Sequence, residues 1–375
     1  MDEIKESHLE RTAHEPREAS LHTVVLARIT PVGHTIRLLR LRIPDGQPDI
    51  QFLPGQWVDT FCPGVAKAGG FTITSSPSRA TTTGRRRRQQ HGEDDDKDTA
   101  AATDDDGNDT DYRYLELAVK RSPDNPPAAW LWQPAARLLG AALQVRVGGS
   151  FVYPPVAAIT EAVPAAAAAA PSRPHRLVLV AGGVGINPLM SIVSHVAEMR
   201  GAGPAVELLY AVRAEEDPAD DGSNNDNNSD DEGGTGSILF LARLASLFGR
   251  KAVRGHLRVF VTGGNDHHTN SSRGTTLTTA DAVTSWCTAR DIACARRRIA
   301  PDDLAAAVGR SSPRDGDDHN NVDNNVDNDD DDGNVYVYVC GVPTMTDAFV
   351  AYLTAPDQTG GLGLPPQRVL YEKWW

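Results

Sequence analysis

In the first part of the chain, short apolar runs alternate with turn residues. LHTVVLARIT (residues 21–30) gives way to Pro31-Val32-Gly33-His34, then to TIRLLRLRI (residues 35–43) and Pro44-Asp45-Gly46. Runs of this length rich in Val, Ile, Leu and Thr and bounded by Pro, Gly and Asp predict β-strands joined by tight turns. FLPGQWVDTF adds a Pro54-Gly55 turn ahead of a strand carrying Trp57, Val58 and Phe61, and GGFTITSSP, YLELAVK and LQVRVGGSFVY continue the pattern to Tyr153. Six or so short strands in roughly 130 residues predict a small antiparallel β-barrel.

The pattern changes beyond a connector of Pro164, a run of alanines, Pro171 and Pro174. Leu177, Val178, Leu179 and Val180 form a continuous apolar run, as in a strand buried on both faces. It leads into Ala181-Gly182-Gly183-Val184-Gly185-Ile186-Asn187-Pro188, and helical spacing follows at Leu189, Ile192, Val193, Val196 and Met199. AVELLY reads as a strand, residues 238–248 as a helix, LRVFV as a strand and residues 301–308 as a helix. Residues 335–339 then read as a strand ending in Cys340-Gly341-Val342-Pro343-Thr344-Met345 before a helix to Leu353. That alternation predicts a doubly wound parallel sheet. The expected organisation is a barrel over residues 20–157, a linker over 158–174 and a nucleotide-type α/β domain over 175–375.

Polar runs at 81–111, 214–235 and 311–334, rich in Asp, Asn, Gly, Ser and Thr, interrupt both halves. They have too little apolar surface to offset ordering, so they are expected to be disordered acidic inserts. They carry much of the net charge of −13, which disfavours a nucleic-acid or anionic-membrane surface partner. No apolar run is long enough to span a membrane. The N-terminal segment has no apolar secretory core and is too acidic for a mitochondrial presequence. Cys62, Cys287, Cys294 and Cys340 lack CxxC or zinc spacing, which fits a reducing compartment and no on-chain iron–sulfur module. Electrons handled by this chain must then leave through a separate acceptor. No metal site is expected: an Asp-rich loop starting at Asn328 has Gly333 in place but Val339 where calcium needs a Glu. His267-His268 have no partner at metal spacing.

A strand, a glycine-rich turn and a helix in succession suit a pyrophosphate. Glycines let the backbone approach, and the first helical amides present unpaired donors. Counted from Gly183 the turn reads G-x-G-x-x-P, without the usual third glycine. Ligands of such sheets collect at the carboxyl ends of strands, where Cys340-Gly341 also lies. In the barrel half, Gly69-Gly70-Phe71-Thr72 and the stretch from YLELAVK to Pro126-Pro127 are the candidates. On composition alone they read as a glycine-kinked strand and a proline-started helical turn. Likewise Cys340 reads equally as a small buried side chain. After AVELLY, Arg213 favours a 2′-phosphate, whereas Glu215, Glu216 and Asp217 repel it and favour NAD.

GGFTITSSP, GGVGINPLMS and CGVPTM, in that order along the chain, resemble the flavin strand, the nucleotide turn and the C-G-P-x-x-M segment of the ferredoxin–NADP reductase-like flavoprotein superfamily. FLPGQWVD, VLVAGGVGINPL and the terminal YEKWW are most similar to its eukaryotic oxidoreductase NAD-binding domain-containing group. The resemblance implies a flavin, FAD or else FMN, and a nicotinamide dinucleotide, NAD or else NADP. It assigns Phe71 and Thr72 to the flavin ring, with Thr72 near the nitrogen that exchanges hydride, and Val119 and Lys120 to the neighbouring strand. Gly182, Gly183, Val184, Gly185, Ile186 and Asn187 match the dinucleotide turn, with Gly341, Thr344 and Met345 beside it. Cys340 matches a cysteine near the nicotinamide carbon, and Trp375 the terminal aromatic that stacks on the flavin. Thr72, Cys340 and Trp375 are thus the implied catalytic residues, and hydride transfer to flavin with onward passage to an unidentified acceptor is the implied activity. The resemblance points to mitochondria, with the cytoplasm as the alternative. Two positions depart from the pattern: Gly69 stands where an Arg usually neutralises the flavin phosphate, and Val342 replaces the first Pro after Cys-Gly. Gly69 keeps open a second reading, a nicotinamide-nucleotide-binding sensor or scaffold that has lost flavin and turnover. A third is a partner-binding protein that uses its acidic loops.

Overall fold

The computed structural model describes residues 7–91, 112–155, 176–214, 238–263, 279–309 and 335–374. The chain divides into two compact units, one drawn from Met1–Val156, Ile186–Gly201 and Thr235–Val253, the other from Ala157–Gly185, Ala202–Gly234 and Arg254–Trp375. Most of the three polar runs, Glu215 to Asp217 within them, and Trp375 lie outside the described residues.

The first unit opens with a single capped turn, α1 (His8–Arg11). Its strands are β1 (His22–Val32), β2 (Ile36–Arg42), β3 (Trp57–Phe61), β4 (Gly69–Thr72), β5 (Tyr114–Lys120) and β6 (Ala142–Gly148), with α2 (Thr82–His91), α3 (Pro126–Leu131) and α4 (Ala135–Leu138) between them. The strands pair antiparallel in the order β4-β3-β6-β1-β2-β5. An antiparallel bridge from Ile73 to Leu117 joins the two ends of that order, and the amide of Thr74 donates to the Glu116 carbonyl at 2.8 Å. The sheet is therefore closed into the expected barrel, which removes its free edges. Val24, Leu26, Leu39, Leu41, Val58, Leu115, Leu117 and Val145 fill it.

Two helices from later in the chain belong to this unit: α5 (Ile186–Glu198) and α6 (Leu241–Gly249). Both are fastened to the barrel by polar contacts. The Asn187 amide donates to the Ala118 carbonyl at 3.1 Å, and the Ser191 hydroxyl to the Ser75 carbonyl at 2.8 Å. Ser76 and Ser78 donate to the Glu198 carboxylate at 2.5 and 2.7 Å.

The second unit is built on six strands: β7 (Arg176–Gly182), β8 (Ala205–Arg213), β9 (Gly255–Thr262), β10 (Ala293–Ala295), β11 (Val335–Gly341) and β12 (Val369–Lys373). All pair in parallel, in the order β10-β9-β8-β7-β11-β12. Its helices are α7 (Thr279–Thr288), α8 (Pro301–Val308) and α9 (Pro343–Thr354). Leu304, Ala305, Val308 and Leu353 from α8 and α9 close over Val178, Val180, Val337 and Val339 of the sheet. Strand order reverses between β7 and β11, which is where a parallel sheet of this kind opens a crevice at its carboxyl end.

The structure refines three expectations. Residues 82–91 form α2, so the first polar run folds at its start: the Asp49 carboxylate accepts from the amide and hydroxyl of Thr82 at 2.9 and 2.8 Å and anchors the helix start. Helix α5 begins at Ile186, two residues before Pro188, which still falls in the first turn, where no amide donor is needed. The strand expected through GGFTITSSP stops at Thr72 and bends, after the Ile73 bridge, into a 3-10 turn at Pro77–Ala80.

Candidate functional site

In the second unit, β7 ends at Gly182 and passes through the 3-10 turn Gly183–Gly185 directly into the first residue of α5. The glycines of this turn have separate jobs. Gly183 is exposed, has φ +54°, and a Cβ there would meet nothing within 4 Å, so its conformation, not crowding, calls for glycine. Gly185 is buried, and a Cβ there would collide with the carbonyl group of Cys340. Gly182 and Gly341 face each other across β7 and β11: a Cβ on Gly182 would lie 2.9 Å from the Met345 sulfur, and one on Gly341 would strike the Met345 methyl and stand 3.3 Å from the Gly182 Cα. Gly182, Gly183, Gly185, Cys340, Gly341 and Met345 are thus one cluster at the switch point. Val184 is half-buried and Thr344 exposed beside them.

Cys340 is fully buried. Burial, and next the charge of Glu372, push its thiol well above the usual range, and the Trp374 side chain only partly counters them. It is a protonated, neutral thiol. Glu372 sits opposite Cys340 in the β11–β12 register, and the Trp374 amide donates to the Gly341 carbonyl at 3.0 Å. Sequence reasoning named the last residue, Trp375, but the strand β12 that brings Glu372 and Trp374 to this point carries too short an apolar run to be recognised.

The barrel site divides into two halves with different fates. Thr72 is 2% exposed, and its hydroxyl has no hydrogen-bond partner among the described residues. A buried hydroxyl left without a partner costs about 1–3 kcal/mol, so a ligand atom at this place has a donor waiting for it. Asn187 repeats the arrangement in the same unit: its amide nitrogen is engaged by Ala118, while its oxygen is buried without a partner. The place that the resemblance assigns to the flavin ring and the strand beside it thus holds two unpartnered buried polar atoms, which fit a polar ring edge.

The phosphate half does not follow the family pattern. A Cβ on Gly69 would lie 2.6 Å from Pro127 and 2.7 Å from the Phe71 ring, and one on Gly70 would strike the imidazole of His8. The close approach that the paired glycines allow is to the chain itself. His8 reaches this place because Asp59, fully buried, holds it at 3.0 Å together with Arg17 and Arg146. Nor does α3 offer free donors at its start. Pro126 and Pro127 have no amide hydrogen, the Ala128 amide is capped by the Asn125 side chain, and the Ala129 amide donates to the Asn125 carbonyl. Val119 turns into the barrel core, and its carbonyl accepts from the Trp132 indole at 3.2 Å. Lys120 and Arg121 are exposed at the end of β5, whereas Arg37 stacks 4.4 Å from Trp132 and donates to the Gln133 carbonyl.

Beneath the Thr72 strand, Glu116 is the charged centre of the unit. Arg243 of α6 grips it through two bonds of 2.9 and 3.1 Å, Arg40 lies 3.8 Å away, and Thr74 donates at 2.9 Å. Burial raises the Glu116 carboxyl, but these cations and donors outweigh it and hold it at about 2. This carboxylate is structural: it ties the segment after β4 to β5, β2 and α6 at the barrel seam. Among the described residues no cluster of His, Cys, Asp and Glu could hold a metal, and no helix is long and apolar enough to cross a membrane.

No family model matches the chain. Curated relatives do: it is 29% identical over 377 aligned positions to Oxidoreductase NAD-binding domain-containing protein 1 of Xenopus laevis, covering 98% of this chain and 84% of the relative. The protein of that name in Homo sapiens is 35% identical over 195 positions, covering 52% of this chain and 47% of the relative. The chain is thus similar to proteins of that name over nearly its whole length. Its fold is shared with the CS-b5R domains of human Ncb5or in the NAD+ form, at TM-score 0.51 and 14% identity over 94% of this chain and 69% of that one. The architecture expected from the motifs, an antiparallel barrel with a parallel α/β sheet, is the one observed.

Proposed function

We propose that this chain is a flavin-dependent NAD(P)H oxidoreductase. The observation that carries the reading is the glycine turn at the switch point of the parallel sheet, with Gly183 open to solvent and Gly185 pressed against the Cys340 carbonyl. Such a turn lets a pyrophosphate approach the backbone ahead of a helix start. When bound, the nicotinamide would donate hydride and the flavin would accept it and release electrons to an acceptor, the cofactors carrying the difficult chemistry.

The residues supply position and environment. Gly182, Gly183 and Gly185 cradle the dinucleotide phosphates, and the Thr72 hydroxyl donates to the flavin ring edge. The fully buried Cys340 thiol packs the end of β11 behind the turn, with the Cys340 backbone carbonyl set against Gly185. NAD is favoured over NADP by the acidic residues after Arg213, and FAD is favoured over FMN by resemblance. The acceptor is a separate molecule, and mitochondria are the proposed compartment.

A specific observation supports a second reading. With Gly69 enclosed by Pro127 and Phe71 and with no free amide at the start of α3, the usual flavin phosphate contacts are missing. A nicotinamide-nucleotide-binding protein without flavin would look like this in the barrel. The deciding experiment is the visible spectrum of the purified full chain, before and after anaerobic NADH. Flavin bands that bleach support the oxidoreductase. A protein that stays colourless after incubation with FAD or FMN, yet binds NADH, supports the second reading.

A further inference from the structure

Two of the four cysteines, far from CxxC spacing, are brought together at the edge of the parallel sheet. Cys287 lies in the last turn of α7 and is fully buried. The chain then reverses tightly: the amides of Arg290 and Ile292 both donate to the Cys287 carbonyl at 3.0 Å, and Asp291 takes the left-handed φ of +55°. It returns as the edge strand β10, with Cys294 at its centre, paired only to β9 among the described strands. The Cys294 sulfur lies 3.9 Å from the hydroxyl of Thr284, which is three residues before Cys287 on the same face of α7, so the two thiols are neighbours. Cys294 is half-exposed.

We propose that Cys294 and Cys287 form a redox-active dithiol, in which Cys294 is the attacking thiolate, Cys287 is the resolving thiol and a peroxide is the oxidant. Exposure divides the labour, since the attacking sulfur is reachable from solvent and the resolving one is held behind it. Electrostatics agree with the division. The neighbouring Cys287 thiol is the largest influence lowering the Cys294 thiol. Burial opposes it, the Thr284 hydroxyl and the Arg296 charge assist, and the thiol comes to about 7. Cys287 is pushed up by the neighbouring Cys294 thiol and by burial, against the nearby Arg290 charge, so it keeps the proton. A thiolate in an electropositive, partly exposed setting is the nucleophile in such chemistry.

The step balances. The Cys294 thiolate attacks one peroxide oxygen and the O–O bond breaks. With one proton taken up, this leaves a sulfenic acid and a water. The Cys287 sulfur then attacks the Cys294 sulfur, the S–O bond breaks, and the hydroxyl leaves as water with the Cys287 proton. The dithiol loses two electrons, and the peroxide is reduced to two waters. The bond formed ties the end of α7 to β10.

The test uses the full chain treated with one equivalent of hydrogen peroxide, then alkylated, digested and weighed. The expected product is a Cys287–Cys294 linked peptide pair lighter by two hydrogens, with Cys62 and Cys340 still free. Cys62 is an internal control because burial pushes its thiol up to about 12. In Cys287→Ser, dimedone should label Cys294 at least several-fold more than in the unaltered chain, and in Cys294→Ser peroxide should leave Cys287 free. Iodoacetamide labelling of Cys294 in the unaltered chain should be half-maximal near pH 7. Failure to form the linked pair in the unaltered chain, at a dose that oxidises an exposed reference thiol, overturns the proposal. So does a Cys294 that persists as a stable sulfenic acid beside a free Cys287.

Discussion

Removing the Arg243 guanidinium is the most informative perturbation of the barrel seam. Glu116 is buried and sits at about 2 instead of its ordinary 4.5. A difference of that size corresponds to about 3–4 kcal/mol of stability, taking about 1.4 kcal/mol per unit. Because the folded value lies below the unfolded one, this stabilisation is fully present above the unfolded value of 4.5 and is lost as pH falls towards 2. In Arg243→Met the carboxylate keeps Arg40 at 3.8 Å and Thr74 at 2.9 Å but loses both of its closest ionic bonds. Breaking a buried pair from one side costs about 3–5 kcal/mol, whereas replacing both partners is often nearly neutral. Arg243→Met is therefore expected to lower stability at pH 7 by about 3–5 kcal/mol, and Glu116→Gln/Arg243→Met to recover most of that loss. The assay is urea unfolding followed by tryptophan fluorescence, repeated from pH 7 to pH 2.5. Asp49, Asp59 and Asp303 are also held below their usual range, so the acid loss of the unaltered chain is shared. The difference between it and Glu116→Gln isolates the Glu116 share. A cost for Arg243→Met below about 1 kcal/mol would match a solvent-screened surface pair and refute the reasoning. So would a Glu116→Gln chain whose acid sensitivity equals that of the unaltered chain.

Three other predictions concern the site itself. Gly183→Ala should cost only about 1–2 kcal/mol, the strain of a left-handed residue, because nothing crowds its Cβ; calorimetric titration with NADH should nevertheless show weaker binding, since the methyl faces the approach path. Gly185→Ala has to displace the Cys340 carbonyl, so it should lower the thermal midpoint more than Gly183→Ala and weaken NADH binding at least tenfold. Thr72→Val removes a hydroxyl without a partner, so the unfolding free energy from urea titration should not fall and should rise by up to about 1–3 kcal/mol. Anaerobic stopped-flow should find flavin reduction slowed in Thr72→Val and restored in Thr72→Ser, and equal rates in all three would remove Thr72 from the ring contact.

Much of this arrangement was legible in the chain because its signals are local. Leu177 to Val180 show a strand buried on both faces, and the turn that follows announces itself through Gly183, which needs its positive φ, and Gly185, which needs its missing side chain. What escaped notice depends on contacts distant in sequence. Asp59 looks like a strand surface residue until His8 and Arg17 arrive from the N-terminal segment and Arg146 from β6. Glu116 needs Arg243, which is 127 positions away. Cys287 and Cys294 meet only because the chain reverses at Asp291, a residue with no glycine or proline to mark the turn. Helix α2 was hidden for a different reason: its arginine-rich, polar sequence has no apolar face, and Asp49 anchors it from outside.

The glycines at 69 and 70 mark where motif and geometry part. In a flavin strand of the usual kind the first position projects an Arg towards a phosphate, and a glycine there reads as a simple deletion of charge. The structure gives a fuller account: Pro127 and Phe71 take the volume above Gly69, and His8, held by Asp59, takes the volume above Gly70. Restoring the cation with Gly69→Arg alone would therefore overpack the strand, at a cost of about 1–3 kcal/mol. It should not rescue phosphate binding, because α3 still spends Asn125 on the Ala128 amide and has prolines at its first two positions. The change from the family pattern is distributed over Gly69, Pro127, Asn125 and His8. If flavin is bound, its phosphate must be met elsewhere, and Lys120 and Arg121, exposed at the end of β5, are the cations whose removal would then release it. Should Lys120→Ala/Arg121→Ala leave flavin content unchanged, that placement fails while the Thr72 contact stands or falls on its own test.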